Sequence, residues 1–259
     1  MNREILKRFS IFFLLFCVGL PSLAVQKVWE NNNINTFSLG NPVNVSIDSD
    51  GVIQLTSAPK LIAETSENYI VDLVENDGIL YAAGGTSGKI FKIENKKITE
   101  FAEFKNEKIL CMEKTPSGIL VGVTPTGNVY SIKWNGEKSL FWESKTRYVW
   151  SILSIGQSVY FVTGKEPMLI KVSGFSGSET LFKSKESHLS KLILYKNEYL
   201  IFGENPSGII YKYNLRTGKT DILYDSPCQE ITGIVIGRDG DICISGVYLS
   251  GAMLPALLT

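Results

Sequence analysis

The segment TSGKIFKI, residues 86–93, recurs in altered form three more times along the chain. The recurrences are TPTGNVYSI at 124–132, KEPMLIKV at 165–172 and NPSGIIYKY at 205–213. Successive turn residues are 39, 40 and 41 positions apart, and they are Gly88, Gly127, Pro167 and Gly208. A period near 40 residues is found in four-stranded sheet repeats and in some helical repeats, so the local pattern must decide between them.

The local pattern within each repeat is that of short strands. Runs rich in Ile, Val, Tyr and Phe alternate with polar residues and are separated by Gly, Asp, Asn, Ser and Pro. No apolar spacing near 3.6 residues occurs after residue 24, so we predict strands rather than helices. Each repeat reads as four strands, and the first strands are expected to begin near Ile70, Ile109, Val149, Leu189 and Ile231.

The turn pattern P-S/T-G-x-[IV]-Y and the join ILYDSPCQEI at 222–231 resemble those of secreted bacterial β-propellers of the WD-repeat-like, YVTN-like and quinoprotein-like group. The resemblance covers about residues 69–251. It implies an all-β fold, a β-propeller of four-stranded blades of about 40 residues, with the first strand of each blade nearest the axis. The GH…WD pair of true WD repeats and the Trp-Gly docking motif of quinoprotein dehydrogenases are missing. Because propellers host both enzymes and scaffolds, the resemblance implies no particular activity.

The repeats predict a single domain at 25–259. Clear units are expected at 67–104, 106–144, 145–184 and 185–226, with a degenerate unit at 28–66 and a partial unit at 227–259. We therefore expect five to six blades, the last one incomplete. Either N-terminal strands complete that blade, or the chain is a piece of a longer one. The apolar tail AMLPALLT favours the second alternative, because it would leave a hydrophobic strand unpaired.

Residues 1–24 have the three parts of a secretory signal peptide. The basic segment MNREILKR is followed by the apolar run IFFLLFCVGL and by SLA, a small-x-small cleavage site that ends at Ala24. The apolar run is shorter than the roughly 20 residues that a membrane-spanning helix needs. We therefore expect a periplasmic or secreted protein that is cleaved near Ala24 and does not span a membrane.

Charge and cysteine content exclude two classes of partner and site. Removing residues 1–24 leaves 23 basic residues (26 minus 3) and 25 acidic residues (26 minus 1), a net charge of −2. This balance does not favour a nucleic-acid partner. Beyond residue 24 there are three cysteines without a C-x-x-C pair, so no metal cluster or redox motif is predicted. We interpret them as buried free thiols, with a Cys228–Cys243 disulfide as the alternative.

The sequence offers little for catalysis. His188 is the only histidine, which excludes mechanisms that need two, including most zinc hydrolases. No Ser or Cys lies in a G-x-S-x-G context that a histidine base could serve. The segment DSDG at 48–51 resembles the start of a calcium loop, but Ser57 stands where the bidentate carboxylate is required, so a hairpin turn is preferred. We predict no catalytic residue, no metal ligand and no cofactor. Three tryptophans are interpreted as packing residues: Trp134, Trp142 and Trp150.

Two classes of function remain open. The first is a non-enzymatic extracytoplasmic scaffold that binds a protein, peptide or glycan through one face of the ring. The alternative is a hydrolase or lactonase with a metal in the central channel. Acidic and basic residues are mixed along the predicted inner strands, which does not favour a divalent cation: Asp72, Glu113 and Glu230 against Lys108, Arg147 and Lys191.

The candidate binding residues lie at the joins between blades. Each join carries the chain from the outer strand of one blade to the inner strand of the next, and equivalent positions should surround one opening. Aromatic and charged side chains combine contact area with directional hydrogen bonds, which suits a binding surface on a rigid scaffold. The residues are Tyr69, Lys108, Arg147, Tyr148, His188, Gln229 and Glu230.

Overall fold

The computed structural model describes residues 44–47, 52–56, 60–174, 177–248 and 256–258. The chain divides into two compact units, Met1–Lys60 and Leu61–Thr259. The described part of the first unit contains an antiparallel hairpin of β1 (Val45–Ile47) and β2 (Ile53–Leu55). The predicted signal peptide, with its cleavage site, and the DSDG segment lie outside the described residues.

In the described residues the second unit contains five antiparallel strand groups, which we call blades A to E; blades C and D are joined into one eight-stranded sheet by the pairing of Gly164 with His188. Blade A is β3 (Ile70–Asn76), β4 (Ile79–Gly84), β5 (Lys89–Glu94) and β6 (Lys97–Glu103). Blade B is β7 (Lys108–Thr115), β8 (Gly118–Thr124), β9 (Val129–Lys133) and β10 (Lys138–Trp142). Blade C is β11 (Tyr148–Ile155), β12 (Ser158–Gly164), β13 (Met168–Ser173) and β14 (Ser178–Lys183). Blade D is β15 (His188–Tyr195), β16 (Tyr199–Asn205), β17 (Ile209–Asn214) and β18 (Thr220–Asp225).

Blade E has three described strands, β19 (Glu230–Ile236), β20 (Ile242–Val247) and β21 (Ala256–Leu258). The expectation of an unpaired hydrophobic tail is wrong at this point, because Leu258 pairs with Ile242 across β21 and β20. The expected inner-strand starts are confirmed to within one residue in all five blades.

The core lies between consecutive blades. The inner strands β3, β7, β11, β15 and β19 pack in series, each against the next. One apolar cluster fills each of the A–B, B–C, C–D and D–E interfaces. The second strands of blades B, C and D are buried on both faces, and accordingly β8, β12 and β16 read as nearly continuous apolar runs. Packing of one blade on the next therefore provides the burial that a single sheet cannot.

The two outer flanks show the same dependence on neighbours. Leu73 on the inner strand of blade A is 59% exposed, whereas the equivalent Met112 of blade B and Ile234 of blade E are 6% and 4% exposed. At the other flank, Val235 of blade E is 60% exposed and the equivalent Val74 of blade A is 7% exposed. These positions are buried only where another blade covers them.

Every inner strand carries a register shift at its second, third or fourth residue. The shift leaves one residue without a partner on the neighbouring strand, and the five are Val71, Leu110, Trp150, Lys191 and Thr232. A bulge of this kind bends the strand and turns the extra side chain away from the regular alternation. Val71 packs against the A–B core, whereas Trp150, Lys191 and Thr232 line a common cavity.

Candidate functional site

A cavity of about 580 Å³ lies where the inner strands of blades D and E begin. Its polar lining comes from the joins, from the starts of β15 and β19, and from the turn after β16. Three lining residues are at bulged positions: Trp150, Lys191 and Thr232. The other lining residues are Ser187, His188, Ser190, Asn205, Pro206, Gln229, Glu230, Ile231 and Val247.

An aromatic cluster borders this cavity. Tyr148 and Trp150 stack with ring centroids 5.3 Å apart and an interplanar angle of 17°. The His188 ring stands edge-on to both, with centroid distances of 5.8 Å to Tyr148 and 5.5 Å to Trp150. Arrangements of this kind stabilise aromatic pairs beyond the area that they bury. The cluster therefore fixes the position of Trp150 at the cavity wall.

A hydrogen bond fixes the protonation pattern of His188. The Trp150 indole N–H donates to His188 Nδ1 at 3.1 Å. Because Nδ1 accepts, the proton of the neutral imidazole is on Nε2, which can act as a donor. Burial lowers the pKa of His188, and the negative charge of Glu230 opposes this effect. His188 is thus held as a neutral hydrogen-bond donor.

The end of β12 has room for this cluster only because residue 164 is glycine. Gly164 pairs with His188 across blades C and D. A Cβ built on Gly164 would lie 2.1 Å from His188 Nδ1 and 2.4 Å from Trp150 Nε1. Any side chain at this position would displace the imidazole, the indole or both.

A buried carboxylate holds two of the lining segments together. Glu204 is 1% exposed and lies opposite Leu189 in the β15–β16 ladder. Its oxygens accept hydrogen bonds from the Ser184 hydroxyl, from Ser207 Oγ at 2.7 Å and from the Tyr211 hydroxyl at 3.0 Å. Burial and the hydrogen bond to Glu204 raise the pKa of Tyr211 to about 12. Glu204 thereby fixes the join before His188 to the turn that carries Asn205.

Asn205 in turn connects blade D to blade E. Its Oδ1 accepts a hydrogen bond from the Ile231 N–H at 2.8 Å. The Ile231 carbonyl accepts from Ser190 Oγ at 3.2 Å. Two lining residues of blade D therefore bind both backbone groups of Ile231, and the D–E wall of the cavity has a fixed geometry.

The structure brings together only part of the predicted binding ring. His188, Gln229 and Glu230 line the cavity, and Tyr148 contacts His188 from its edge. The other three predicted residues are exposed outside the cavity lining: Tyr69, Lys108 and Arg147. The Tyr69 hydroxyl donates instead to the Gly85 carbonyl at 3.1 Å.

Several residues of the site are not among the sequence predictions. Trp150 lines the cavity, so its interpretation as a packing residue is incomplete, whereas Trp142 does stack on Phe161. Lys191 and Asn205 also line the cavity, and Glu204 is buried behind it; none of the three is among the predicted binding residues. The signal for Glu204 was present, because its equivalents in the repeat are uncharged: Gly84, Val123 and Thr163.

Two acidic residues of the inner strands, Asp72 and Glu113, join one blade to the next. Asp72 Oδ2 accepts from the Met112 N–H at 2.7 Å, and Glu113 Oε1 accepts from the Ser154 N–H at 2.8 Å. Burial raises the pKa of both carboxyls, and backbone hydrogen bonds, from Met112 and Leu73 to Asp72 and from Ser154 to Glu113, partly oppose this. Within the described ranges, no group of three or more His, Cys, Asp or Glu side chains could hold a metal ion.

The cysteines of the repeats are free thiols. Cys111 and Cys228 are buried, and Cys243 is partly exposed on β20. Cys111 Sγ lies 3.3 Å from the Val149 carbonyl of the next blade, which it can contact as a weak donor. The alternative of a Cys228–Cys243 disulfide is therefore not formed in this structure.

Comparison with known proteins identifies a fold and no closer relationship. No family model matches the chain. No curated protein matches it either. Solved structures do match, among them the extracellular domain of a hybrid two-component system from B. thetaiotaomicron, at 14% identity and a TM-score of 0.61. Streptogramin B lyase matches at 16% identity with a TM-score of 0.60. The WD40 β-propeller domain of Doa1 matches at 12% identity with a TM-score of 0.56.

These matches cover 75%, 74% and 66% of this chain, and 29%, 70% and 58% of the respective structures. The chain thus spans less than a third of the first of them. None of the described segments is a helix with the length and apolar character that crossing a membrane requires. Together with the serial packing of four-stranded sheets, the likeness shows that this chain folds as a β-propeller.

Proposed function

We propose that this chain is an extracytoplasmic binding module that takes up a ligand, without catalysis, in the cavity between the inner strands of blades D and E. The observation that carries the proposal is the convergence of side chains with unused hydrogen-bonding groups at this cavity. Gln229, Glu230 and Lys191 line it, and their side chains make no hydrogen bond or ion pair with another described residue. Groups of this kind on a rigid frame are typical of binding sites.

The state of His188 supports binding rather than catalysis. A general base needs a free lone pair within reach of the group that it deprotonates. In the described structure the Nδ1 lone pair of His188 accepts from Trp150, and Nε2 carries the proton. The imidazole can therefore donate a hydrogen bond to a ligand, but it is not arranged to activate a nucleophile.

The cellular location in this proposal depends on residues 1–24. Their basic, apolar and small-residue segments have the order of a cleavable signal. N-terminal sequencing of the protein recovered from a periplasmic fraction should begin at Val25. A protein that keeps Met1 and stays in the cytoplasm would contradict the location and leave the cavity proposal to be tested separately.

The binding proposal is tested with the immobilised full chain in periplasmic extract of the source bacterium. We expect the double variant Gln229→Ala/Glu230→Ala to weaken capture of a retained ligand by roughly thirtyfold, about 2 kcal/mol, as for the loss of a binding hot spot. The matched control is Arg238→Ala/Asp239→Ala in the β19–β20 turn, which is exposed at the opposite end of the same strands. If both double variants lose capture equally, or if neither loses it, a site at the cavity is contradicted.

A further inference from the structure

We infer that the ligand of the cavity is an uncharged saccharide, which stacks on Trp150 and receives a hydrogen bond from His188 Nε2–H. This inference rests on the proposed function, because it names the ligand class of the same cavity. Three properties of the cavity lead to it: its charge, the state of the strand edges that border it, and the chemistry of its free groups.

The charge of the lining does not favour an ionic ligand. Among the described lining residues there is one cation, Lys191, and one anion, Glu230, while His188 is held neutral by Trp150. The charges of Lys191 and Glu230 balance, so the lining has no net charge that would select an anion or a cation. A ligand without net charge is therefore favoured.

The strand edges do not favour a peptide in extended conformation. A peptide that adds to a sheet needs free backbone N–H and C=O groups on the edge strand. On β15 the Leu192 N–H already donates to Ser151 Oγ at 3.2 Å. On β19 both backbone groups of Ile231 are bound by Asn205 and Ser190. These three backbone groups are therefore not free for strand addition.

The free groups are those that bind hydroxyl-rich rings. The indole of Trp150 lines the cavity, and its orientation is fixed by Tyr148 and His188. Tyr148 covers one face of the indole, so the opposite face is the one that can pack against the apolar C–H face of a sugar ring. His188 Nε2–H and the Gln229 amide can donate, and the Gln229 and Glu230 oxygens can accept, which matches the mixed donor and acceptor character of hydroxyl groups. The volume of about 580 Å³ is within the usual range for a small-molecule site.

The inference is tested by calorimetric titration of the full chain with cellotetraose, xylotetraose, maltotetraose and chitotetraose. Tetragalacturonate is titrated as the anionic comparison ligand, and a tryptic digest of casein as the peptide comparison ligand. We expect at least one neutral tetrasaccharide to bind and to change tryptophan fluorescence. Trp150→Ala should weaken that binding at least roughly tenfold, and Trp150→Phe, which keeps an aromatic face, should weaken it less.

Controls separate this inference from the binding proposal. Trp134→Ala removes a tryptophan remote from the cavity lining, and it should leave saccharide affinity unchanged. Binding of a neutral saccharide that is indifferent to Trp150→Ala would overturn the inference. So would titrations to about 10 mM in which only the anionic or peptide comparison ligand binds. If the anionic or peptide ligand binds wild type but not Gln229→Ala/Glu230→Ala, the binding proposal stands and only the saccharide inference fails. If none of the titrated ligands binds and Gln229→Ala/Glu230→Ala captures the same material from extract as wild type, both proposals fail.

Discussion

Replacing Glu204 by alanine should destabilise the propeller more than any exposed substitution, because this carboxylate is buried and serves three donors. The hydroxyls of Ser184, Ser207 and Tyr211 all donate to it. Removing the acceptor leaves these hydroxyls without their partner, and a buried unsatisfied polar group costs about 1–3 kcal/mol. Water entering the space would satisfy some of them, so we expect a total loss of roughly 3–4 kcal/mol of unfolding free energy.

For a domain of this size, about 1 kcal/mol corresponds to a shift of about 2–4 °C in Tm, so Glu204→Ala should lower Tm by roughly 6–16 °C. The assay is calorimetric melting of wild type and variant at equal concentration and pH. Glu204→Gln, which keeps the shape and one acceptor oxygen, should lose less. Glu230→Gln is the matched exposed control and should shift Tm by no more than about 2 °C. A Glu204→Ala protein that melts within about 2 °C of wild type would refute the anchoring role of this carboxylate.

Two further predictions concern the aromatic cluster at the cavity and the buried carboxyl groups of the inner strands. Gly164→Ala should displace His188 or Trp150, because the added Cβ would lie 2.1 Å from His188 Nδ1; tryptophan emission should change, while the cost in stability stays within about 1–3 kcal/mol. Unchanged emission would contradict the contact. Burial raises the pKa of Asp72 and Glu113, so the folded state retains their protons to higher pH than the unfolded state. Stability should therefore fall as pH rises from their ordinary values of 3.8 and 4.5 through the raised ones, and Asp72→Asn/Glu113→Gln should flatten that part of the curve of Tm against pH. A slope that persists in the double variant would assign it to other groups.

Strands, blade order and inner-strand starts could be predicted because they follow from local patterns that recur every 40 residues or so. The Asp77–Gly78 pair, for example, adopts positive φ at both residues, as a tight hairpin turn requires. The composition of the cavity could be predicted only in part. His188 and Glu230 are predictable because they occupy equivalent positions in successive repeats, and Gln229 because it immediately precedes Glu230.

Trp150 and Lys191 are not predicted as binding residues for a physical reason. Both are bulged residues, and the alternation of a regular strand does not show which residue leaves the register. Lys108 and Arg147 occupy equivalent joins but lie outside the cavity lining, because the cavity is confined to the side of blades D and E. The positions that recur in every repeat therefore show at which end of the blades a site lies. A residue that differs from its equivalents in the other repeats, such as Glu204, shows which blade carries the site.

The inner-strand bulge has a consequence for how this scaffold can change. In blades D and E the bulged residues Lys191 and Thr232 line the cavity, whereas the paired residues Leu189 and Ile231, which precede them on the same strands, are buried between strands and blades. Recognition and packing are therefore carried by different positions in these two blades. Substitutions at Lys191 and Thr232 can change what the cavity recognises while the buried residues stay the same, which makes these two positions suitable for engineering a new specificity.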